Sequence, residues 1–181
     1  MRKSALVRNL QKHKSETTEQ INLMEWIRRE AEHDKRLRWA FHPENERKCF
    51  VEEGEKRKAM GVQRGVPDIV IPYPCGAHHG LFIELKYNKG RISTEQEEFL
   101  SEMMTRGYYG CVCYSKETAQ EVIREYLKLQ WDEMLLLLNE KLETGTVRYT
   151  KNGVPVVKPK EPQDLVSTKW GGDWKDGITS R

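Results

Sequence analysis

Residues 65–96 read GVPDIVIPYPCGAHHGLFIELKYNKGRISTEQ, and this stretch decides the fold of the chain. It contains two short apolar runs, residues 69–71 and 81–83, that are bounded by glycine and proline. Such runs are typical of β-strands rather than helices. The link between them holds two prolines and two glycines. We therefore expect the two strands to pair as a hairpin with a long loop.

Charged residues stand at neighbouring ends of these two strands. Asp68 directly precedes the first strand, and Glu84 and Lys86 end the second. Because side chains alternate along a strand, Glu84 and Lys86 project from one face while Leu85 enters the other. Asp68 can then approach the same place. Two carboxylates so close repel each other unless a cation lies between them, and their oxygens favour Mg²⁺ or Mn²⁺. The pattern predicts a metal site at this sheet edge.

At these residues the sequence resembles the PD-(D/E)xK nuclease superfamily and, within it, the VRR-NUC family. The matching segments are residues 65–68 (GVPD), 84–86 (ELK), 90–93 (GRIS) and 95–96 (EQ). The resemblance implies a restriction-endonuclease-like α/β fold in residues 1–129, with a mixed central sheet of about four strands flanked by helices. It also implies that Asp68, Glu84 and Lys86 are catalytic, and that the carbonyl of Leu85 joins the two carboxylates as a metal ligand.

A further metal ligand is expected from the first helix, predicted over residues 17–34. Its apolar stripe, extended backwards, passes through Gln20 and Glu16. In the resembled family an acidic residue of this helix completes the metal site, often as Glu-x-x-x-Gln. Glu16 matches that spacing with Gln20 as a substrate-binding residue, and Glu19 is the competing candidate. Thr17 with Gln20 also reads as a capping box, which would leave Glu16 outside the helix.

Four other residues are predicted to contact the substrate, and each has a structural alternative. Asn45 corresponds to an asparagine that family members often carry, but it could equally cap the next helix. Lys58 belongs to the basic run 56–58, which suits phosphate contacts but is also typical of a solvated helix face. Ser93 and Gln96 form a capping box, and the resemblance adds that they lie beside the metal site.

The remaining elements follow from periodicity and from the residues that end each run. Residues 37–42 alternate as a first strand that Pro43 ends. The helix predicted from Ser93 leads into another strand, and this crossover makes that strand parallel to the one that carries Glu84. The other predicted elements are a helix over residues 46–60, the helix over 93–106, a strand over 108–114 and a helix over 116–129.

Residues 130–181 are predicted to form a C-terminal helical and hairpin extension with a flexible tail from residue 158. Residues 131–142 have a helical pattern, and Asn152-Gly153 favours a tight hairpin turn. Pro155 would confine the second hairpin strand to a sheet edge. Residues 135–138 are four successive leucines that cannot all face one small core, so a partner or the hairpin should cover some of them. The family resemblance makes a homodimer the expected partner arrangement.

Composition sets limits on location and on other kinds of site. Charged residues make up 33% of the chain and the net charge is +3, so local basic islands matter more than total charge. No apolar run approaches a membrane span, and the N-terminus lacks the apolar core of a signal peptide. We expect an intracellular, cytoplasmic protein with no membrane contact and with free thiols at its four cysteines. Cys75, His78 and His79 lack a fourth ligand for zinc.

Together these patterns predict a Mg²⁺- or Mn²⁺-dependent DNA endonuclease that hydrolyses phosphodiester bonds. The family resemblance adds selectivity for branched DNA or four-way junctions, in replication, repair or recombination. The alternative is a non-catalytic DNA-binding or assembly module on the same fold. The intact set of Asp68, Glu84 and Lys86 favours the enzyme.

Overall fold

The computed structural model describes residues 15–43, 51–137 and 142–161, without the side chains of residues 51 and 52. Four α-helices precede or cross between five strands in this part of the chain. In chain order these are α1 (Glu16–Glu30), a 3₁₀ helix (Lys35–Leu37), α2 (Val51–Ala59), β1 (Ile69–Ile71), β2 (Leu81–Leu85), α3 (Thr94–Thr105), β3 (Tyr109–Cys113), α4 (Lys116–Lys128), β4 (Gly145–Tyr149) and β5 (Pro155–Pro159).

The five strands form one mixed sheet in the order β1-β2-β3-β5-β4. β1 and β2 pair antiparallel, with Ile69 opposite Ile83, which confirms the predicted hairpin. β2 and β3 pair in parallel, as the crossover through α3 predicted. β5 then pairs in parallel with β3 and antiparallel with β4. The predicted α/β class with a mixed, helix-flanked sheet is therefore confirmed.

Alternation along the strands divides the core between the two faces of the sheet. Ile69, Ile83 and Leu85 are fully buried in the larger cluster, which also holds the apolar residues of α1 and α4. The opposite face is covered by α3, where Leu100 packs with Val112 in a smaller cluster. The side chains of Glu84 and Lys86 point away from the larger cluster, so they emerge on the α3 side at the carboxyl end of β2.

The prediction of a strand over residues 37–42 is wrong. Asp34 caps the 3₁₀ helix instead, because its carboxylate accepts a hydrogen bond from the backbone N–H of Arg36 at 3.0 Å. The Arg36 guanidinium also donates to the carbonyl of Leu127 at 2.8 Å, which ties this turn to the end of α4. A single bridge between Phe41 and Val70 is all the sheet pairing that the described part of this segment makes.

The helix predicted over residues 131–142 is also wrong for the residues that the structure describes. Residues 131–137 form a turn followed by irregular chain, and residues 138–141 lie outside the described ranges. Leu135 and Leu137 are buried, whereas Leu136 between them is 67% exposed. A period of two suits extended chain, so the leucine run here divides between core and solvent without a helix.

The hairpin after this segment adds β4 and β5 to the main sheet. The antiparallel pairing of its strands confirms the predicted hairpin. Its turn is centred on residues 151–152 rather than on Asn152-Gly153, because the Gly153 N–H donates to the Thr150 carbonyl at 3.1 Å. Pro155 does not confine its strand to the edge, however, since β5 lies between β3 and β4. Pro155 is the first residue of β5, and pairing with β3 starts only at Val156 opposite Val112. Its missing N–H therefore removes no hydrogen bond to β3.

Two further predictions concern the domain boundary and the C-terminal tail. The boundary between residues 129 and 130 stays a prediction. The predicted start of the flexible tail at residue 158 is wrong, since β5 extends to Pro159, and residues 162–181 lie outside the described ranges. None of the helices described in this structure combines the length and the apolar character that a membrane crossing requires.

Candidate active site

Asp68 lies one residue before β1, where the strand register sets it opposite Glu84. Ile69 faces Ile83, so the next pair outward is Asp68 and Glu84. The Asp68 Oδ2 accepts a hydrogen bond from the backbone N–H of Leu85 at 2.9 Å. His42 Nδ1 lies 2.6 Å from the carbonyl oxygen of Asp68 and donates to it. No sequence pattern points to His42, because a contact across 26 residues leaves no local spacing signal.

Glu84 and Lys86 emerge side by side from the same face of the sheet, as the alternation predicted. The Lys86 Nζ lies 2.5 Å from the Glu84 Oε1. Glu84 is 1% exposed and Lys86 is 7% exposed. A buried carboxylate and a buried ammonium each require a charged partner, and these two provide it for each other.

Gln96 joins the N-terminus of α3 to this ion pair. Its Oε1 accepts a hydrogen bond from the backbone N–H of Ser93 at 2.9 Å, which completes the predicted capping box. Since that contact fixes the oxygen of the amide, the nitrogen faces Glu84, and Nε2 donates to Glu84 Oε1 at 2.5 Å. Gln96 therefore serves the helix cap and the charged site at once.

The surroundings of Glu84 disfavour its ionised form. Burial raises the pKa of Glu84 to about 8, and the negative charge of Asp68 adds to this rise while Lys86 opposes it. Burial alone would lower the pKa of Lys86, but the carboxylates of Glu84, Glu16 and Asp68 outweigh burial and raise it. Lys86 therefore stays protonated at neutral pH. The Glu84 Oε2 is buried and has no hydrogen-bond partner.

We expect Asp68→Asn to stabilise the metal-free protein near pH 8. The pKa of Glu84 is about 8 in the fold and near 4.5 in the unfolded chain, so folding stability falls as pH rises between these values. Removing the Asp68 charge relieves part of that penalty, while the asparagine Oδ1 can still accept from Leu85. Thermal melting should show a rise of a few degrees, at about 2–4 °C per kcal/mol.

The control for this experiment is the pH. At pH 5 Glu84 is protonated in the fold, so the gain from Asp68→Asn should shrink. Glu102→Gln, on the exposed side of α3, should show no such difference between the two pH values. A lower melting temperature of Asp68→Asn at pH 8 would contradict the argument and make Asp68 a structural residue.

The first helix brings Glu16 to the site and directs Glu19 elsewhere. Ser15 is the N-cap of α1, with its side chain accepting from Thr18, so Glu16 is helical and the predicted capping box at Thr17 is wrong. Glu16 is near enough to Lys86 and Asp68 for its charge to interact with theirs, and the backbone of Tyr87 favours its ionised form. Partial burial raises the pKa of Glu16.

Glu19 instead binds the start of α4. Its Oε2 accepts a hydrogen bond from the backbone N–H of Lys116 at 2.7 Å. A carboxylate at a helix N-terminus is stabilised by the unpaired N–H groups there. Glu19 therefore already has a structural partner, whereas the charge of Glu16 interacts with those of Lys86 and Asp68.

The other predicted substrate residues are distributed around this centre. Gln20 is half-buried on α1, one turn after Glu16, and Ser93 is exposed at the N-terminus of α3. Lys58 is exposed on α2 and lines a cavity of about 490 Å³ together with Arg64. Asn45 lies outside the described residues. Contact of these side chains with a substrate stays a prediction.

The donors at this site suit a hard divalent cation in type and charge. Within the described residues, no three His, Cys, Asp or Glu side chains are arranged as a metal site by themselves. Asp68 and Glu84 instead bind the Leu85 N–H and Lys86. The Glu84 Oε2 nevertheless has no hydrogen-bond partner, and the negative charges of Glu84 and Asp68 repel each other. A bound cation would contact this oxygen and reduce the repulsion. The residues therefore fit such an ion.

Comparisons with known proteins identify the family. The model of the VRR-NUC domain matches residues 6–117, which is more than half of the chain. A solved structure described as a VRR_NUC domain protein aligns with a TM-score of 0.52 and 25% sequence identity, covering 62% of this chain and 91% of that one. A search of curated proteins gave no match. The family match includes every residue of the charged site described above, and the chain belongs to the VRR-NUC domain family of DNA-processing nucleases.

Proposed function

We propose that this protein is a metal-dependent DNA endonuclease that hydrolyses phosphodiester bonds. The observation that carries the proposal is the buried Glu84, with one oxygen bound to Lys86 and Gln96 and the other without a partner. Burying a carboxylate in this way costs free energy, as its raised pKa shows. A purely structural role would not compensate for this free energy, whereas the binding of a metal ion would.

Asp68, Glu84, the Leu85 carbonyl and Glu16 are the groups that would hold Mg²⁺ or Mn²⁺. A bound ion of this kind supplies an activated water and stabilises the charge on the leaving oxygen. Gln96 positions the Glu84 carboxylate by fixing Oε1, which leaves Oε2 as the available oxygen. His42 positions Asp68 through its backbone carbonyl.

Lys86 acts in this proposal by its charge and position rather than as a base. Its raised pKa keeps the ammonium protonated, so it donates hydrogen bonds and does not accept a proton. Placed beside the scissile phosphate, an ammonium neutralises the negative charge that develops as the bond breaks. Lys58, Ser93, Gln20 and Asn45 are proposed to contact the DNA backbone, which favours recognition of shape over sequence.

The direct test is cleavage of labelled linear, flapped and four-way-junction DNA in Mg²⁺, Mn²⁺ or EDTA. We expect cleavage in either metal, none in EDTA, and faster cleavage of the branched substrates. Undiminished cleavage in excess EDTA would contradict the proposal. DNA binding without cleavage under every metal condition would instead favour the non-catalytic binding module.

We also propose that the protein works as a homodimer, since a two-fold junction cut symmetrically requires two active sites. Three exposed apolar side chains in the described part of residues 131–137 support an interface there: Trp131 at 91%, Met134 at 61% and Leu136 at 67% exposure. Leu136→Glu should then shift the mass measured by light scattering towards the monomer. Lys151→Glu, in the β4–β5 turn, is the matched control.

The residues after Leu129 contribute two strands to the sheet, so association is better tested by a point substitution than by truncation. Truncation after Leu129 would remove β4 and β5, and β5 pairs with β3 inside the sheet. A truncated chain would therefore test folding rather than association. A full-length protein that is monomeric at micromolar concentration and still cuts junctions in paired positions would rule out the dimer.

A further inference from the structure

A cleft of about 650 Å³ lies beside the charged site. Its walls come from α1, from the turn after β2, from the start of α4 and from the end of β5. Tyr87 in this cleft directly follows Lys86, and Thr18 lies two residues after Glu16. The cleft therefore adjoins the site without including Asp68, Glu84 or Lys86 among its walls. Its volume falls within the roughly 300–1,000 Å³ of ligand-binding clefts.

One wall of the cleft lies outside the part of the chain that matches the family. Lys158, Pro159 and Glu161 line it, whereas the family match ends at residue 117. These residues reach the cleft because β5 pairs with β3 in the interior of the sheet. The cleft is thus completed by the C-terminal hairpin, to which the family match assigns no role.

Two tyrosines and two asparagines are among the residues that line the cleft. Tyr87 is half-buried, and Asn22 and Asn88 lie with it in the lining. Asn88 lies in the turn after β2 with φ 53°, a left-handed conformation that asparagine adopts readily. An aromatic face with nearby amides suits a nucleobase, which stacks on rings and exchanges hydrogen bonds at its edge.

The cleft offers few ammonium groups to a phosphate, because its charged lining residues are two lysines and three glutamates: Lys116, Lys158, Glu19, Glu117 and Glu161. Lys158 Nζ lies 4.5 Å from the ring centroid of Tyr114, which holds the ammonium in place by a cation–π contact. The Tyr114 hydroxyl in turn donates to the Gly90 carbonyl at 2.8 Å, so this ring is fixed. Lys116 is paired with Glu117 at 3.5 Å, and Glu19 already binds its backbone N–H. Lys158 is therefore the ammonium best placed to meet a phosphate.

We propose that this cleft binds one unpaired nucleotide of the DNA substrate next to the cleavage site. The base stacks on Tyr87, the amide of Asn88 meets its edge, and Lys158 contacts its flanking phosphate. This proposal rests on the proposed function in taking DNA as the substrate. It assigns to the C-terminal hairpin a part in selecting DNA that carries unpaired bases.

The test measures binding in EDTA, so that it does not depend on cleavage. The probe is a duplex with a single unpaired 2-aminopurine, whose fluorescence falls when the base stacks, compared with the fully paired duplex. The full-length protein should quench the unpaired probe and bind it more tightly than the paired duplex. Tyr87→Leu should lose the quenching and bind the unpaired probe on the order of tenfold more weakly. Tyr87→Phe should retain both.

Lys158→Ala should weaken binding of the unpaired probe, whereas Lys151→Ala, in the turn at the other end of β5, should not. Equal quenching by the wild type and a folded Tyr87→Leu variant would overturn the proposal, as would equal affinities of the Lys158→Ala and Lys151→Ala variants. Thermal melting confirms that each variant is folded. Since no metal is present, these results stand apart from the cleavage test: an inactive protein could still quench the probe, and an active one could fail to do so.

Discussion

Replacing Glu84 by glutamine is expected to lower metal-dependent DNA cleavage by about 1,000-fold or more. The substitution keeps the shape of the side chain, and the glutamine Oε1 can still accept from Lys86 and Gln96. What it removes is the negative charge and the free oxygen at Oε2. Loss of one carboxylate ligand costs several kcal/mol of transition-state stabilisation, and each 1.36 kcal/mol is about tenfold in rate.

The measurement is single-turnover cleavage of a labelled junction in Mg²⁺, with DNA affinity measured separately in EDTA. Glu102→Gln is the matched control, because Glu102 is an exposed glutamate on α3 that pairs only with Arg106 at 3.6 Å in this structure. We expect Glu102→Gln to cleave at the wild-type rate and Glu84→Gln to keep its DNA affinity. Robust cleavage by Glu84→Gln would refute the assignment of the active site.

The second large effect is expected at Glu16. Glu16→Gln should reduce cleavage by about 100-fold and raise the Mg²⁺ concentration needed for half-maximal rate, since a ligand that approaches from a second element contributes to metal affinity. The structural reason is that Glu16 is near enough to Asp68 and Lys86 for its charge to interact with theirs.

Glu19→Gln provides the contrast on the same helix. Glu19 accepts from the Lys116 N–H, and a glutamine oxygen can make the same hydrogen bond, so cleavage should change by only a few-fold. A Mg²⁺ titration of both variants distinguishes the two residues. If Glu19→Gln lost more activity than Glu16→Gln, the helix ligand would be Glu19 and the placement of Glu16 would have no catalytic meaning.

Short-range patterns predicted a large part of the structure. The alternation of residues 81–86 correctly placed Glu84 and Lys86 on one face, and the Ser93–Gln96 spacing correctly predicted the capping box. The crossover through α3 correctly predicted that β2 and β3 are parallel. These features depend on residues a few positions apart or on chain connectivity, and both can be read directly from sequence.

The errors arose where distant parts of the chain compete with a local pattern. Residues 37–42 alternate like a strand, but Arg36 binds Leu127 91 residues away, and the segment begins as a 3₁₀ helix. Residues 131–137 have a helical composition, yet the N–H of Leu135 binds the buried His78 Nε2 at 2.9 Å. Local propensity is worth only tenths of a kcal/mol per residue, so contacts of this kind override it.

The family, the hairpin of β1 and β2, and the set of Asp68, Glu84 and Lys86 could all be predicted from the sequence. Tertiary packing brings Glu16 rather than Glu19 near this set, lets Gln96 link the helix cap to Glu84, and carries the C-terminal hairpin to the neighbouring cleft. The difference lies in how far apart in sequence the interacting residues are. Strand alternation and capping act within a few residues, whereas Glu19 and Lys116 are 97 residues apart and meet only because α1 and α4 pack on the same face of the sheet.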